Sequence, residues 1–183
     1  MKSKNIYQLV AAALMAAMTC VATLVIAVPS PMGGFIHPGD GFVILSGIVL
    51  GPFFGGIAAG IGSMIADLVL GYSVYAPATL VIKGLAAIAA VYTYRALHRN
   101  PHKKPHDNRK LIILPVLGAS SLGGILVTIG YFLFESTLLG LGFASASVNI
   151  PFNLIQNGFG VIISTLLFPL IIRVPQIRGM MEE

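Results

Sequence analysis

Apolar residues along this chain run in long blocks, and polar residues gather in the breaks between them. The blocks approach the ~20 residues that cross a ~30 Å hydrocarbon layer at 1.5 Å per residue. The first, about 6–28, ends at Pro29-Ser-Pro-Met-Gly-Gly34. A second uncharged stretch lies between Asp40 and Asp67, with the turn signal Gly51-Pro-Phe-Phe-Gly-Gly56 at its midpoint. Further blocks occupy about 76–94, 111–134 and 148–172. The connection 95–110 carries Pro101, Pro105, three histidines and six cations, and 140–147 is rich in Gly, Ala and Ser.

The cations fix the threading. Ten of the eleven Lys and Arg residues sit at Lys2 and Lys4, between Arg95 and Lys110, and at Arg173 and Arg178. A charge at a helix centre costs roughly 2.5–3.5 kcal/mol, and cytoplasmic loops hold the excess of Lys and Arg. All three clusters are therefore expected in the cytoplasm. An even number of crossings must then separate the N-terminus from 95–110. One span over 40–67 leaves three crossings; a hairpin gives four. The expectation is an all-α membrane protein with six helices, about 6–28, 41–51, 54–71, 76–94, 111–134 and 148–172. Both ends are expected in the cytoplasm, as is the 95–110 loop.

Composition narrows the class further. The chain is 56% hydrophobic and 9% charged, where soluble domains carry about 25% charge. Soluble, disordered and nucleic-acid-binding classes fit poorly, because the basic residues sit at span ends and suit anionic lipid. Cys20 is the single cysteine and lies in an apolar run, so no disulfide or metal cluster follows. Met1 to Val28 has a signal-like charge and apolar stretch without a convincing cleavage site, and reads as a retained first helix.

Ionisable groups within spans are functional candidates. Asp40, Asp67, Lys83 and Glu135 stand out. Asp40 reads first as a cap on the free N–H groups of its helix. Lys83, two turns into its helix, needs a counter-ion or an anionic ligand, and Asp40, Asp67 and Glu135 all lie in the same outer half. Asn149, Asn153 and Asn157 recur at i, i+4 and i+8, with Gln156 beside them. Carboxamides on one face suit either recognition of a polar ring or hydrogen bonding between helices. Tyr72, Tyr75 and Tyr131 offer ring faces, or anchors at the interface.

Small residues form the other pattern. Ala12 and Ala16, Ala13 and Ala17, Gly47, Gly51 and Gly55, Gly56 and Gly60, and Ala58 and Gly62 repeat at i, i+4. That spacing lets helix backbones approach closely. The small residues favour the first three helices and the polar candidates the last three, so one half is expected to dock and the other to hold a ligand. No Gly-x4-Gly-Lys-Ser/Thr loop and no His-Glu-x-x-His occurs. Ser63 has no base on a later helix, since His98, His102 and His106 lie in the 95–110 connection. No nucleophile–base or metal constellation points to an enzyme.

The chain resembles the substrate-capture (S) components of energy-coupling factor (ECF) vitamin transporters over nearly its whole length. The resemblance rests on Gly34-Phe-Ile-His-Pro-Gly-Asp40, Leu50-Gly-Pro-Phe-Phe-Gly-Gly56 and Gly60-Ile-Gly-Ser-Met-Ile-Ala-Asp67. It continues through Gly71-Tyr-Ser-Val-Tyr-Ala-Pro77 and Ile82-Lys-Gly84. It is nearest the branch with riboflavin-type and pyridoxine- or hydroxymethylpyrimidine-type members. The resemblance implies a multi-pass protein of a prokaryotic plasma membrane with a vitamin site near the outer face. Its implied partners are a membrane coupling protein and two ATPases, which alone would bind ATP; the chain itself would need no cofactor and no metal. Carried onto this sequence, the site residues are His37, Lys83, Tyr131, Glu135, Asn149, Asn153 and Asn157, joined by Asp67 and Tyr75. The docking residues are Ala12, Ala13, Ala16, Ala17, Gly51 and Gly55. The chain has no Trp, so ring stacking would fall to Tyr or Phe. A second class, a proton-coupled carrier or channel, would use Asp67, Lys83 and Glu135 as its relay.

Overall fold

A computed structural model describes residues 2–98 and 109–181. Most of the expected 95–110 connection, with His102 and His106, lies outside the described residues. The chain opens with α1 (Lys2–Val25) and a two-residue ribbon, β1 (Val28–Pro29) paired with β2 (Phe35–Ile36). It continues through α2 (Asp40–Val69), α3 (Ala76–Leu97) and α4 (Arg109–Leu133), which passes into a π-helical turn at Phe134–Leu138. A short α5 (Gly142–Ser147), then α6 (Ile150–Ile171) and α7 (Pro175–Met181), complete it. The first helix thus ends earlier than expected, and its last residues form the ribbon. The expected 140–147 loop contains one short helix.

Five helical stretches, 6–25, 40–69, 76–97, 113–138 and 142–171, are long and apolar enough to cross a bilayer. The second is a hairpin. Gly51 has φ 79° and ψ −179°, a conformation essentially reserved for glycine. Pro52 follows at the first position of the second arm, where its missing N–H is harmless. A Cβ on Gly55 would lie 2.4 Å from the Ser46 carbonyl oxygen, whereas a straight helix holds positions nine apart by roughly 13 Å. Arms 40–50 and 52–69 therefore lie side by side, and the layer is traversed six times.

Close approach explains the small residues. A Cβ on Gly47 would meet the Ala87 backbone, one on Gly60 the Leu80 carbonyl, and one on Gly62 the Ala16 carbonyl. The hairpin is the hub: α1 and α3 pack along it, α4 follows α3, and α6 closes against α4 and α2. Leu9, Val81, Leu85, Leu114 and Leu166 stay exposed on the outside, as lipid-facing positions should.

The arm 40–50 is too short to cross a bilayer, and the segment before it supplies the difference. A Cβ on Gly39 would touch Thr23 Oγ1 and the Thr19 carbonyl, below the end of α1. The chain thus leaves α1 outward to Pro29, turns, and descends into the bundle over 35–39. Non-helical backbone at such depth is tolerated only when protein encloses it, and His37 and Asp40 are both buried.

Candidate functional site

Residues 30–37 make the floor of a polar cavity at the end of the bundle that carries 26–39, 70–75 and 139–149. Ser30, Gly34, Phe35 and His37 come from the segment, Asp67 from α2 and Tyr75 from the turn after it. Thr79 comes from α3, Tyr131 from α4, Glu135 from the π-helical turn, and Asn153 and Gln156 from α6.

Beneath the floor sits an ion pair. Lys83 Nζ donates to Asp40 Oδ1, with the lysine fully buried. Gln156 Nε2 donates to the other Asp40 oxygen at 2.8 Å, and its Oε1 accepts from the His37 backbone N–H at 3.2 Å. Lys83 also lies 5.3 Å from the centre of the Tyr131 ring, within cation–π range. The counter-ion is therefore Asp40, across 43 residues, rather than Asp67 or Glu135. Asp40 also makes no side-chain cap on α2, whose cap position is Gly39. A buried lysine is tolerable only with such a partner; with it, Lys83 is already occupied.

His37 is pinned by local geometry. Its Nδ1 meets Thr23 Oγ1 at 3.2 Å and the Gly39 N–H at 3.1 Å. Since Nδ1 accepts from a backbone N–H, the ring is neutral. Burial, then the Lys83 charge, holds its pKa down to about 3. Burial followed by the nearby Glu135 carboxylate pushes the Tyr75 phenol well above its ordinary value.

The carboxamide row divides by role. Asn149 is a clamp: its Oδ1 accepts from Met32 N–H at 3.3 Å, and its Nδ2 donates to the Gly33 carbonyl at 3.2 Å and to Glu135 Oε1 at 3.0 Å. Asn157 ties α6 to α4 through the Gly124 carbonyl and Thr128 Oγ1. It faces a separate cavity of about 210 Å3 rather than the first. Asn153 alone of the three asparagines lines the main cavity. Gln156 reaches it as well, the residue next to the expected face.

Aromatic rings form the walls. Phe35 packs on Tyr72 with centroids 4.8 Å apart, and Tyr75 on Phe134 at 5.4 Å. Thr79 Oγ1 bonds the Tyr131 hydroxyl at 2.8 Å. Thr79 stands one turn before Lys83 on the same face of α3, a spacing that marks it in the sequence. Ser30, Gly34 and Phe35 carry no comparable signal. Glu135 turns inward because the π-helical turn, closed by the Leu139 N–H on the Phe134 carbonyl at 2.9 Å, leaves both it and Ser136 buried.

The expected docking residues also separate. Ala12 is buried in the core, Ala16 backs onto Gly62, and Gly55 is enclosed by the first arm. Gly51 serves the bend. These four are engaged within the bundle; Ala13 and Ala17 remain on the exposed face of α1. Among the described residues, no group of His, Cys, Asp and Glu is placed to hold a metal ion.

Comparison with known proteins agrees with this architecture. The family model described as "ECF-type riboflavin transporter, S component" matches residues 3–173. A Pyrococcus woesei protein described as an uncharacterized protein in the gap 3' region is 34% identical over 127 residues, 69% of this chain and 76% of that protein. A solved structure, "Structure and mechanism of the S component of a bacterial ECF transporter", superposes with a TM-score of 0.61 over 88% of this chain and 93% of that one. At 22% identity it shows the shared fold. The family is one of transport components, not of enzymes. With six passes, a polar cavity at one end of the bundle and a family match over nearly its whole length, the chain belongs to the S components of ECF-type transporters.

Proposed function

We propose that this protein captures a small vitamin or vitamin precursor at the outer face of a prokaryotic plasma membrane. It passes the ligand inward with a membrane coupling protein and two ATPases. The observation that carries this reading is the lining of the cavity, where Phe35, Tyr75 and Tyr131 meet Asp67, Glu135 and Asn153 at one end of the bundle. Ring faces beside a few polar groups suit a pyridoxine-like or hydroxymethylpyrimidine-like molecule first, and riboflavin second. The cation clusters, by the bias of cytoplasmic loops toward Lys and Arg, support an orientation with the two termini inside and the cavity outside. Phe35, Tyr75 and Tyr131 supply ring faces, and Asn153 a carboxamide able both to donate and to accept. A proton-relay carrier would need Lys83 to exchange protons with Asp67 and Glu135, but Lys83 is held by Asp40.

Ala13 and Ala17 give α1 a small-residue face for the coupling protein, bordered by exposed Leu9, Val10, Leu14 and Val21. Ala17→Leu is expected to leave ligand binding to the purified subunit unchanged and to abolish uptake by cells that also make the coupling protein and ATPases. Equilibrium binding and labelled-vitamin uptake check this side by side. Lost binding, or undiminished uptake, contradicts the assignment.

A further inference from the structure

Three polar atoms in the cavity are buried with their hydrogen bonding incomplete. Asp67 Oδ2, Glu135 Oε2 and the Tyr75 hydroxyl make no hydrogen bond of regular geometry to the protein. Their residues are 4%, 3% and 8% exposed, and all three line the same cavity. Glu135 is satisfied on one oxygen only, by Asn149 Nδ2 at 3.0 Å. An orphaned buried acceptor is costly, and polar groups buried this completely are normally hydrogen-bonded. The two carboxylate oxygens call for a donor; the Tyr75 hydroxyl, itself a donor, lies beside Glu135 but out of line for a regular bond.

The charge around them has one sign. Lys83 and Asp40 cancel as a pair. His37 accepts on Nδ1 and is neutral. Among the described residues, no arginine or lysine lines the cavity. Two carboxyl groups thus face the ligand with no free cation to balance them. An anionic ligand would bring a third negative group into an enclosed space. A ligand with N–H donors would complete both carboxylates through charge-assisted hydrogen bonds.

The geometry points to a small nitrogen heteroaromatic bearing an amino group, selected by Asp67 and Glu135 as acceptors, with carboxylated and phosphorylated vitamins excluded. This rests on the cavity being the capture site proposed above. The amine would donate to Glu135 Oε2 and Asp67 Oδ2, with the ring held among Phe35, Tyr75 and Tyr131. The Tyr75 hydroxyl remains to donate to a ring nitrogen or ligand oxygen.

The test is calorimetric binding of matched probes to the purified full-length subunit. One series is pyridoxamine, pyridoxine and 4-pyridoxic acid, which share a ring and differ in an amine, alcohol or carboxylate. The other is 4-amino-5-hydroxymethyl-2-methylpyrimidine and its 4-hydroxy counterpart. Riboflavin and pantothenate complete the panel. The amine of at least one series is expected to bind roughly 10- to 100-fold more tightly than its matched alcohol or hydroxy compound, with the carboxylate and pantothenate weakest. Asp67→Asn or Glu135→Gln should erase most of that preference; if either variant fails to fold, the wild-type ranking still decides. Tightest binding of riboflavin, an alcohol or an anion overturns the amine assignment and leaves vitamin capture standing. No binding of any probe overturns both.

Discussion

Lys83→Met should destabilise the protein by about 3–5 kcal/mol, because it strands the Asp40 carboxylate in the bundle. Lys83 is fully buried and Asp40 nearly so, and little solvent screens the pair. Asp40 then keeps only the Gln156 amide, too little for an ion removed from water. Adding Asp40→Asn removes the orphaned charge and still offers Gln156 an acceptor. The double variant should recover most of the lost stability. Thermal unfolding of the purified single and double variants measures both effects. A Lys83→Met protein of wild-type stability that merely loses its ligand would mean that the ammonium serves the ligand and not the fold.

Gly51→Val should break the hairpin. At φ 79° and ψ −179° a β-branched residue is a genuine outlier, and such backbone costs of order 1–3 kcal/mol. The effect is conformational rather than steric, since the nearest atom to a Cβ there is an Arg95 nitrogen at 3.9 Å. Relaxing toward helix would draw arms 40–50 and 52–69 into line and pull Ser46 from Gly55. Gly158→Ala is the control. Gly158 lies within α6 with nothing within 4 Å of its Cβ position. That change should be neutral or stabilising by up to ~1 kcal/mol. Equal unfolding temperatures for the two variants would contradict the hairpin.

The hairpin was legible because charge parity is a global constraint: the clusters demand an even number of crossings, and only Gly51-Pro52 offers the bend. The role of Asp40 was hidden because a carboxylate at a helix start has an adequate local explanation. Its real partner stands 43 residues away. The asparagine spacing corresponds to Asn149 at the start of α6 and Asn153 and Asn157 along it, yet what each meets depends on loop 30–34, on α4 and on segment 35–39. Asn149 and Asn157 became clamps, while Asn153 reaches the cavity. Small-residue spacing likewise marks close approach without naming the neighbour. Ala12 and Gly55 turned to the bundle and Ala13 and Ala17 to the outside, a split set by how α1 rests on the hairpin. The Pro29–Gly34 turn and the residues after it carry no sequence sign that the chain returns into the bundle. The descent of 35–39 depends on Thr19 and Thr23, more than ten residues earlier, and on Gln156 at the far end of the chain.

The most direct test fills the cavity. Asn153 lines it and is 8% exposed, so Asn153→Phe places a ring where a ligand would lie. Equilibrium binding of the tightest vitamin probe to wild type and variant should show one molecule per wild-type protein and none detectable on a folded Asn153→Phe. Wild-type affinity in the filled variant would place the ligand elsewhere and contradict the account.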